Sequence, residues 1–413
     1  MEWEDLRINA ERLRRSLEEM ARIGATSGGG VERLALTAED QTARNLLVRW
    51  MGEAALEVTV DEMGNVFGRR AGTSGGLAPV LTGSHLDTQP RGGRLDGALG
   101  VMAALEVLRT LGENRIRASR PIVMVNWTNE EGTRFAPGIM GSGVWAGQMP
   151  RDRAYAQTDS RGRRFVDELE RIGYRGAAPA RPEPVHAYYE LHIEQGPVLE
   201  RLGRRIGVPH GIVGLHWREV RVRGQGNHAG ASPMAGRSDA LCAAAEMILA
   251  VEGTARAAGS GLVATVGRIR SQPGSPNIIP EEVVFTVDLR CWDDGVAWEA
   301  WRTMERAFDD CARRRGCIVH TAGHWDVRPV PFHPPLVRQI EETAQTLGYG
   351  THAMVSGAGH DAGHVALVAP AAMVLVPSIG GRSHVEAEDT AWEDCAAGAD
   401  VLLRCVLRSA MET

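Results

Sequence analysis

Apolar positions in this chain recur with two periods, and their succession predicts its elements. Over 2–23 and 38–54 they return every three to four residues, the spacing of an amphipathic helix, and Thr37 with Asp40 three positions later opens the second as a capping box. LEVTV at 56–60 and VFGRR at 66–70 alternate as strands around the turn residues Met63, Gly64 and Asn65. Strand 79–85, helix 98–112, strand 121–127, helix 164–172 and strand 187–193 follow. Such alternation predicts an α/β fold with a mostly parallel sheet flanked by helices.

The rhythm changes near residue 206. Strand 216–224, helix 237–258, strands 261–270 and 281–290, helix 296–314 and strand 317–323 run β-α-β-β-α-β, the order of a small ferredoxin-like α+β unit. Beyond 327 the helix and strand alternation resumes, with AAMVLVP at 371–377 as a buried strand and 390–407 as a closing helix. The expected organisation is a catalytic domain in two parts, 1–209 and 328–413, with the smaller domain inserted as 210–327.

Composition narrows the class. A length of 413 residues exceeds the usual size of one core, and 43% hydrophobic with 24% charged residues describes an ordinary globular chain. The net charge of −6 comes with no basic stripe of interleaved aromatics, which argues against nucleic acid as a partner. The first residues are acidic with no apolar leader, and no apolar run approaches the roughly 18 residues that cross a bilayer. A cytoplasmic protein without a membrane partner is expected. The six cysteines are scattered without a CxxC pair, so buried free thiols are expected. All 46 basic residues are arginine, which excludes a P-loop lysine, a Schiff-base lysine and a carbamylated lysine between two metals. That, with the inserted α+β unit, argues against a cyclic-amidase barrel.

The chemistry is concentrated where strands end. TGSHLDT at 82–88, RLDGALG at 94–100 and VNWTNEEGTRF at 125–135 place His85, Asp87, Asp96, Glu130 and Glu131 after apolar runs, where open α/β sheets bind ligands. Histidine and carboxylate without cysteine suit zinc, manganese, cobalt or nickel, and a shared carboxylate makes a site for two ions. Asp87, two residues beyond His85, is placed to orient its imidazole with a carboxylate. Adjacent Glu130 and Glu131 repel each other unless a metal or shared proton intervenes, and they point in different directions, so one can ligate while the other handles a proton. YYELHIEQGP at 188–197 adds His192 and Gln195 at another strand end.

Three histidines compete for the last ligand place. His360 and His364 in GAGHDAGH have the i, i+4 spacing of helical ligands, whereas His384 in GGRSHVEAED follows strand 371–377 and a Gly-Gly loop. His360, in a glycine-rich loop, is also placed to touch substrate. In the inserted unit, GQGNHAGASPM carries His228 among small residues, while PGSPNIIP and DLR supply Asn277 and Arg290. An amide donor and an arginine fork are what recognition of a carbonyl and a carboxylate requires.

Taken in order, GSHLDT, LDG, NEEGTRF, ELHIEQGPVLE, GNHAGASPM, PNIIP, DLR and GRSHVEAED resemble the carbamoylase and ureidohydrolase branch of the dizinc aminoacylase/dipeptidase superfamily, over nearly the whole chain. That branch includes N-carbamoyl-L-amino acid hydrolases, β-ureidopropionase and allantoate amidohydrolases. The resemblance implies a zinc-peptidase-like fold, with the inserted domain serving dimerisation and acting as a lid. It implies two divalent ions: His85 and His192 on one, Glu131 and His384 on the other, and Asp96 between them. Glu130 would be the general base and Asp87 its neighbouring orienter. Gln195, His228, Asn277 and Arg290 would contact substrate, with His228 also stabilising the oxyanion. His192 stands where peptidase relatives often carry aspartate, which favours a small ureido substrate over a peptide. GRSHVEAED departs from the SHxPxE wording of the branch. A homodimer is implied, and a dipeptidase or aminoacylase is the nearest rival.

Overall fold

Two separate apolar clusters divide the chain into two compact units, Met1–Gly211 with Pro331–Thr413, and Ile212–Val330. The computed structural model describes residues 6–181, 184–259 and 261–413.

The first unit is built on a sheet in the order Glu57–Val60, Val66–Arg70, Ile122–Trp127, Val80–His85, Ala187–Ile193, Ala371–Val376, Ile206–Ile212 and Val330–Pro331, with Thr351–Ser356 paired to Ile206–Ile212. Its four central strands run parallel, and each is buried along its whole length. Strands covered on both faces read as continuous apolar runs, which is why their boundaries were legible in sequence. The flanking strands pair antiparallel. Helices Ala98–Glu113 and Trp392–Met411 pack on one another and on these strands, burying 13 of 16 and 14 of 20 of their residues. Gly100 permits the close approach: a Cβ there would lie 2.4 Å from the Leu191 carbonyl.

Several expectations shift at their edges. The helix expected over 2–23 spans Ala10–Ala21; residues 2–5 lie outside the described residues. Asn9 caps it by accepting the Arg12 N–H, so it cannot extend backwards. Thr37 caps the next helix, Ala38–Glu53, by accepting from Asp40, but the Asp40 carboxylate reaches back to Leu36 N–H and pairs with buried Arg44 at 2.9 Å. Short helices at Met140–Trp145, Arg151–Tyr155 and Val198–Leu202 had no periodic signal, because five or six residues make little more than one turn.

The second unit is a four-stranded antiparallel sheet in the order Ile318–Val327, Gly214–Arg223, Glu282–Cys291, Leu262–Gln272. Helices Ala240–Ala258 and Asp294–Arg315 pack together and share its core with Val220, Val222, Val283, Phe285, Val287 and Leu289. The alternation of those residues with Glu282, Val284, Thr286, Asp288 and Arg290 leaves one sheet face without helix cover. A two-stranded ribbon, Asn227–His228 with Ile278–Ile279, completes the unit.

All six cysteines are free, as expected, but Cys242 is exposed rather than buried, since it lies on the outer side of the first turn of Ala240–Ala258. Among the described residues no helix is long and apolar enough to cross a membrane.

Candidate metal centre

Because the four central strands are parallel, their C-terminal ends lie along one edge of the sheet. His85 is the last residue of its strand, opposite Trp127; His192 is the penultimate residue of the next, opposite Leu375. The segments leaving Trp127 and Val376 bring in Glu130, Glu131 and His384. Asp96 arrives on the loop that starts helix Ala98–Glu113. Gly97 has φ +63°, and a Cβ on it would strike the His85 ring at 2.4 Å, so the loop can pass beneath the imidazole only with glycine there.

Asp96 is the centre of the cluster. Its Oδ1 lies 3.1 Å from His192 Nε2 and 3.7 Å from His85 Nε2, while its Oδ2 lies 3.3 Å from His384 Nε2. Glu131 Oε2 is 3.6 Å from the same His384 nitrogen. Two groups able to hold a metal ion result, His85–Asp96–His192 and Asp96–Glu131–His384, with Asp96 common to both. The donors are imidazole nitrogens and carboxylate oxygens without thiolate, which fits the borderline divalent ions. Glu130 belongs to neither group; its Oε2 lies 3.6 Å from His85 Nε2.

Electrostatics agree with a cation between these side chains. Burial, then the carboxylates of Asp361 and Glu131, holds Glu130 well above the usual carboxylate range. Burial and the Asp96 charge do the same to Glu131. Burial takes His85 down to about 4, whereas His192, against the pull of its own burial, is raised to about 9 by the hydrogen bond and charge of Asp96 together with the Glu190 charge. A divalent ion held there would reverse the balance that protonates the glutamates, favouring neutral His85 and His192 and ionised Glu131 as ligands and ionised Glu130 beside them.

The surrounding contacts set the ligands. His85 Nδ1 lies 2.9 Å from the Asp87 carbonyl oxygen, which fixes the proton on Nδ1 and turns Nε2 inward. The expectation that the Asp87 carboxylate orients the ring is therefore corrected: that carboxylate is 3.9 Å from Nδ1 and instead accepts the backbone N–H groups of Glu130 and Glu131, each at 3.1 Å. Burial, with Asp40 nearby, pushes Asp87 up to about 7 against the pull of those donors. Gln195 donates from Nε2 to Asp96 Oδ2 at 3.0 Å and to Ser383 at 3.1 Å. Asn129, Gln195 and His384 all have positive φ, between +57° and +61°, placing three non-glycine residues of the site loops in a sparsely populated region.

Of the three competing histidines, His384 joins the ligand groups and the other two do not. The i, i+4 spacing of His360 and His364 is not helical, because His360 is the extended residue before helix Asp361–Val365. His360 is buried, with Nε2 2.9 Å from Ser356 Oγ and its ring 4.4 Å from that of His192. His364 packs by Gly143, and burial lowers it to about 4.

In the second unit, His228 is exposed on the ribbon, and its Nδ1 accepts the N–H groups of Gly230 and Ala231 at 3.1 Å each. The neutral ring therefore carries its proton on Nε2. Asn277 lies beside it, its carbonyl accepting Ala229 N–H, and its Oδ1 accepting from Ser275, which leaves the amide N–H groups to donate elsewhere. Arg290 forms a bidentate pair with Asp288 at the far end of strand Glu282–Cys291.

Sequence reasoning missed two residues. Gln89 donates to Glu131 Oε2 at 2.6 Å, and buried Glu388 accepts from Asp96 N–H, Ser383 O–H and His384 N–H. GRSHVEAED contains three acidic residues after His384, and the signal that could have found the inward one is its place on the glutamate of SHxPxE, four residues beyond the histidine.

Residues 81–408 match the peptidase family M20/M25/M40. The chain belongs to this family. It is 45% identical over 409 residues to an N-carbamoyl-L-amino-acid amidohydrolase of Rhizobium meliloti, covering 98% of each chain. An allantoate amidohydrolase of Escherichia coli is 34% identical, with 94% of this chain and 96% of that one covered. Among solved structures, an amidase of the hydantoinase/carbamoylase family from Burkholderia multivorans superposes with a TM-score of 0.93 at 45% identity, over 98% of this chain and 99% of its own. The chain is thus a hydrolase of the M20 family whose relatives include N-carbamoyl-L-amino-acid amidohydrolases and allantoate amidohydrolase.

Proposed function

We propose that the protein hydrolyses the ureido group of N-carbamoyl-L-amino acids, using two divalent ions, zinc or manganese, cobalt or nickel, held by His85, Asp96, Glu131, His192 and His384. The observation that carries this is the division of Asp96 between two ligand groups, one oxygen toward each. Likeness to the Rhizobium amidohydrolase over 98% of both chains supports the substrate class. Allantoate, the substrate named for the Escherichia coli relative, is the second reading.

Bound there, the ions supply Lewis acidity and lower the pKa of water toward about 7. Glu130, outside both ligand groups and raised by burial, takes the proton of the attacking water and returns it to the leaving nitrogen. Water adds to the ureido carbonyl, the bond to the terminal nitrogen breaks, ammonia leaves, and the carbamic acid that remains loses carbon dioxide to give the amino acid. Asp87 holds the backbone of Glu130 and Glu131. Gln195 and His360 line the substrate side of the metal groups. His228 offers its Nε2–H to the developing oxyanion, Asn277 donates from its amide, and Arg290 grips the carboxylate.

The same residues favour a homodimer. His228 is on the ribbon and Asn277 immediately precedes its second strand, both close in sequence to the Arg223–Glu282 end of the sheet, whereas Arg290 lies eight residues along strand Glu282–Cys291, roughly 27 Å from Glu282 at strand rise. One small substrate cannot touch both from a single inserted unit. Two copies sharing sites resolve this, with the inserted units in contact and acting as lids. On this reading the protein acts in the cytoplasm.

The test is ammonia release from N-carbamoyl-L-amino acids, N-carbamoyl-β-alanine, allantoate and ureidoglycolate, beside amino acid release from dipeptides. Preference for dipeptides would replace the proposal with a peptidase.

A further inference from the structure

The loop that carries His384 is fastened at two carboxylates, and one of them also holds Asp96. Glu386 accepts from Thr26 Oγ and from Arg91 Nη2 at 2.6 Å, at the outer end of the loop. Glu388 turns the other way and is 3% exposed. Its Oε1 accepts the backbone N–H of Asp96 at 3.1 Å; its Oε2 accepts Ser383 O–H at 2.8 Å and the backbone N–H of His384 at 3.3 Å. Room for it comes from Gly93, where a Cβ would lie 1.9 Å from Oε1.

A buried carboxylate with three donors from two loops fixes the distance between those loops. Asp96 has other support: its carbonyl accepts Ala98 N–H at 2.6 Å, and its carboxylate meets His192 at 3.1 Å. His384, whose Nε2 meets Asp96, Glu131 and Gln195, is half-exposed with φ +59°, and its ring position depends on where the loop backbone is held. Resting on the two-ion reading above, we infer that Glu388 is a positioning residue that sets His384 against Asp96 and thereby completes the second ligand group, Asp96–Glu131–His384.

Glu388→Gln preserves volume but puts an amide nitrogen opposite either Asp96 N–H or His384 N–H, so one of these donors loses its acceptor. The metal-free full-length protein is titrated with manganese, with bound metal counted directly. Wild-type protein should bind two equivalents. The variant should bind the first like wild type and the second at least ~10-fold more weakly, the size expected when a ligand's supporting hydrogen bonds are removed. Its kcat should fall at limiting manganese and recover at excess, a pattern general destabilisation does not give. Ser383→Ala removes one of the three donors and should weaken the second equivalent in the same direction by a smaller factor; it decides the matter if Glu388→Gln does not fold. Two equivalents bound with wild-type affinity by the variants overturn the role of Glu388. A single equivalent bound by wild-type protein overturns the two-ion reading itself.

Discussion

The Asp87 carboxylate accepts the backbone N–H of Glu130 at 3.1 Å, so a side chain two residues beyond strand Val80–His85 holds the main chain of the proposed base. Its second oxygen does the same for Glu131. The buried Asp87 carboxylate thereby holds the backbones of both adjacent glutamates, the proposed base and the proposed ligand, while the Asp87 backbone carbonyl meets His85 Nδ1.

Asp87→Asn leaves one of those N–H groups facing an amide nitrogen. Turnover of a carbamoyl substrate should fall by about 10–100-fold with the fold intact, as circular dichroism and steady-state kinetics would record. Unchanged kinetics would show that the glutamate loop is held by other contacts.

His364 gives a pH signature of stability. Burial lowers its folded-state value from 6.5 to about 4. Between those values the unfolded chain binds a proton that the folded chain does not, so stability is fully present above about 6.5 and falls as pH drops toward 4. The loss is at most about 3 kcal/mol. Thermal midpoints measured from pH 7 to 4 should fall less steeply for His364→Gln than for wild type; parallel curves would contradict the assignment.

The proposed sharing of sites between two copies, with His228 on the ribbon and Arg290 near the end of strand Glu282–Cys291, predicts complementation. His228→Ala and Arg290→Ala homodimers should each be nearly inactive. After mixing and subunit exchange, half the dimers are mixed, and each regains one intact site, giving about a quarter of wild-type activity for a two-fold dimer. No recovery would mean that both residues reach the same site from one chain.

The fold was legible wherever burial is two-sided: the four parallel strands and the helix starting at Ala98 give unbroken apolar runs. The β-α-β-β-α-β order of the second unit was equally plain, because its strands alternate. The candidate ligands were legible because imidazole and carboxylate stand at those strand ends and in the loops that follow them. What escaped depends on contacts distant in sequence. Glu388 meets Asp96 across 292 positions, a contact that its place four residues beyond His384 does not reveal. The orientation of Asp87 was missed because spacing from His85 says which residues are near, not which of two acceptors, carbonyl or carboxylate, turns toward the ring. His360 and His364 had helical spacing, yet a helix beginning at Asp361 excludes the first of them.

The most direct test compares wild-type and Glu130→Gln protein, both loaded with metal, for ammonia release from an N-carbamoyl-L-amino acid. Wild type should release ammonia, and the variant should hold the same metal content while turning over at least ~100-fold more slowly. Near-normal turnover by Glu130→Gln, or no ammonia from fully loaded wild type, would contradict the account.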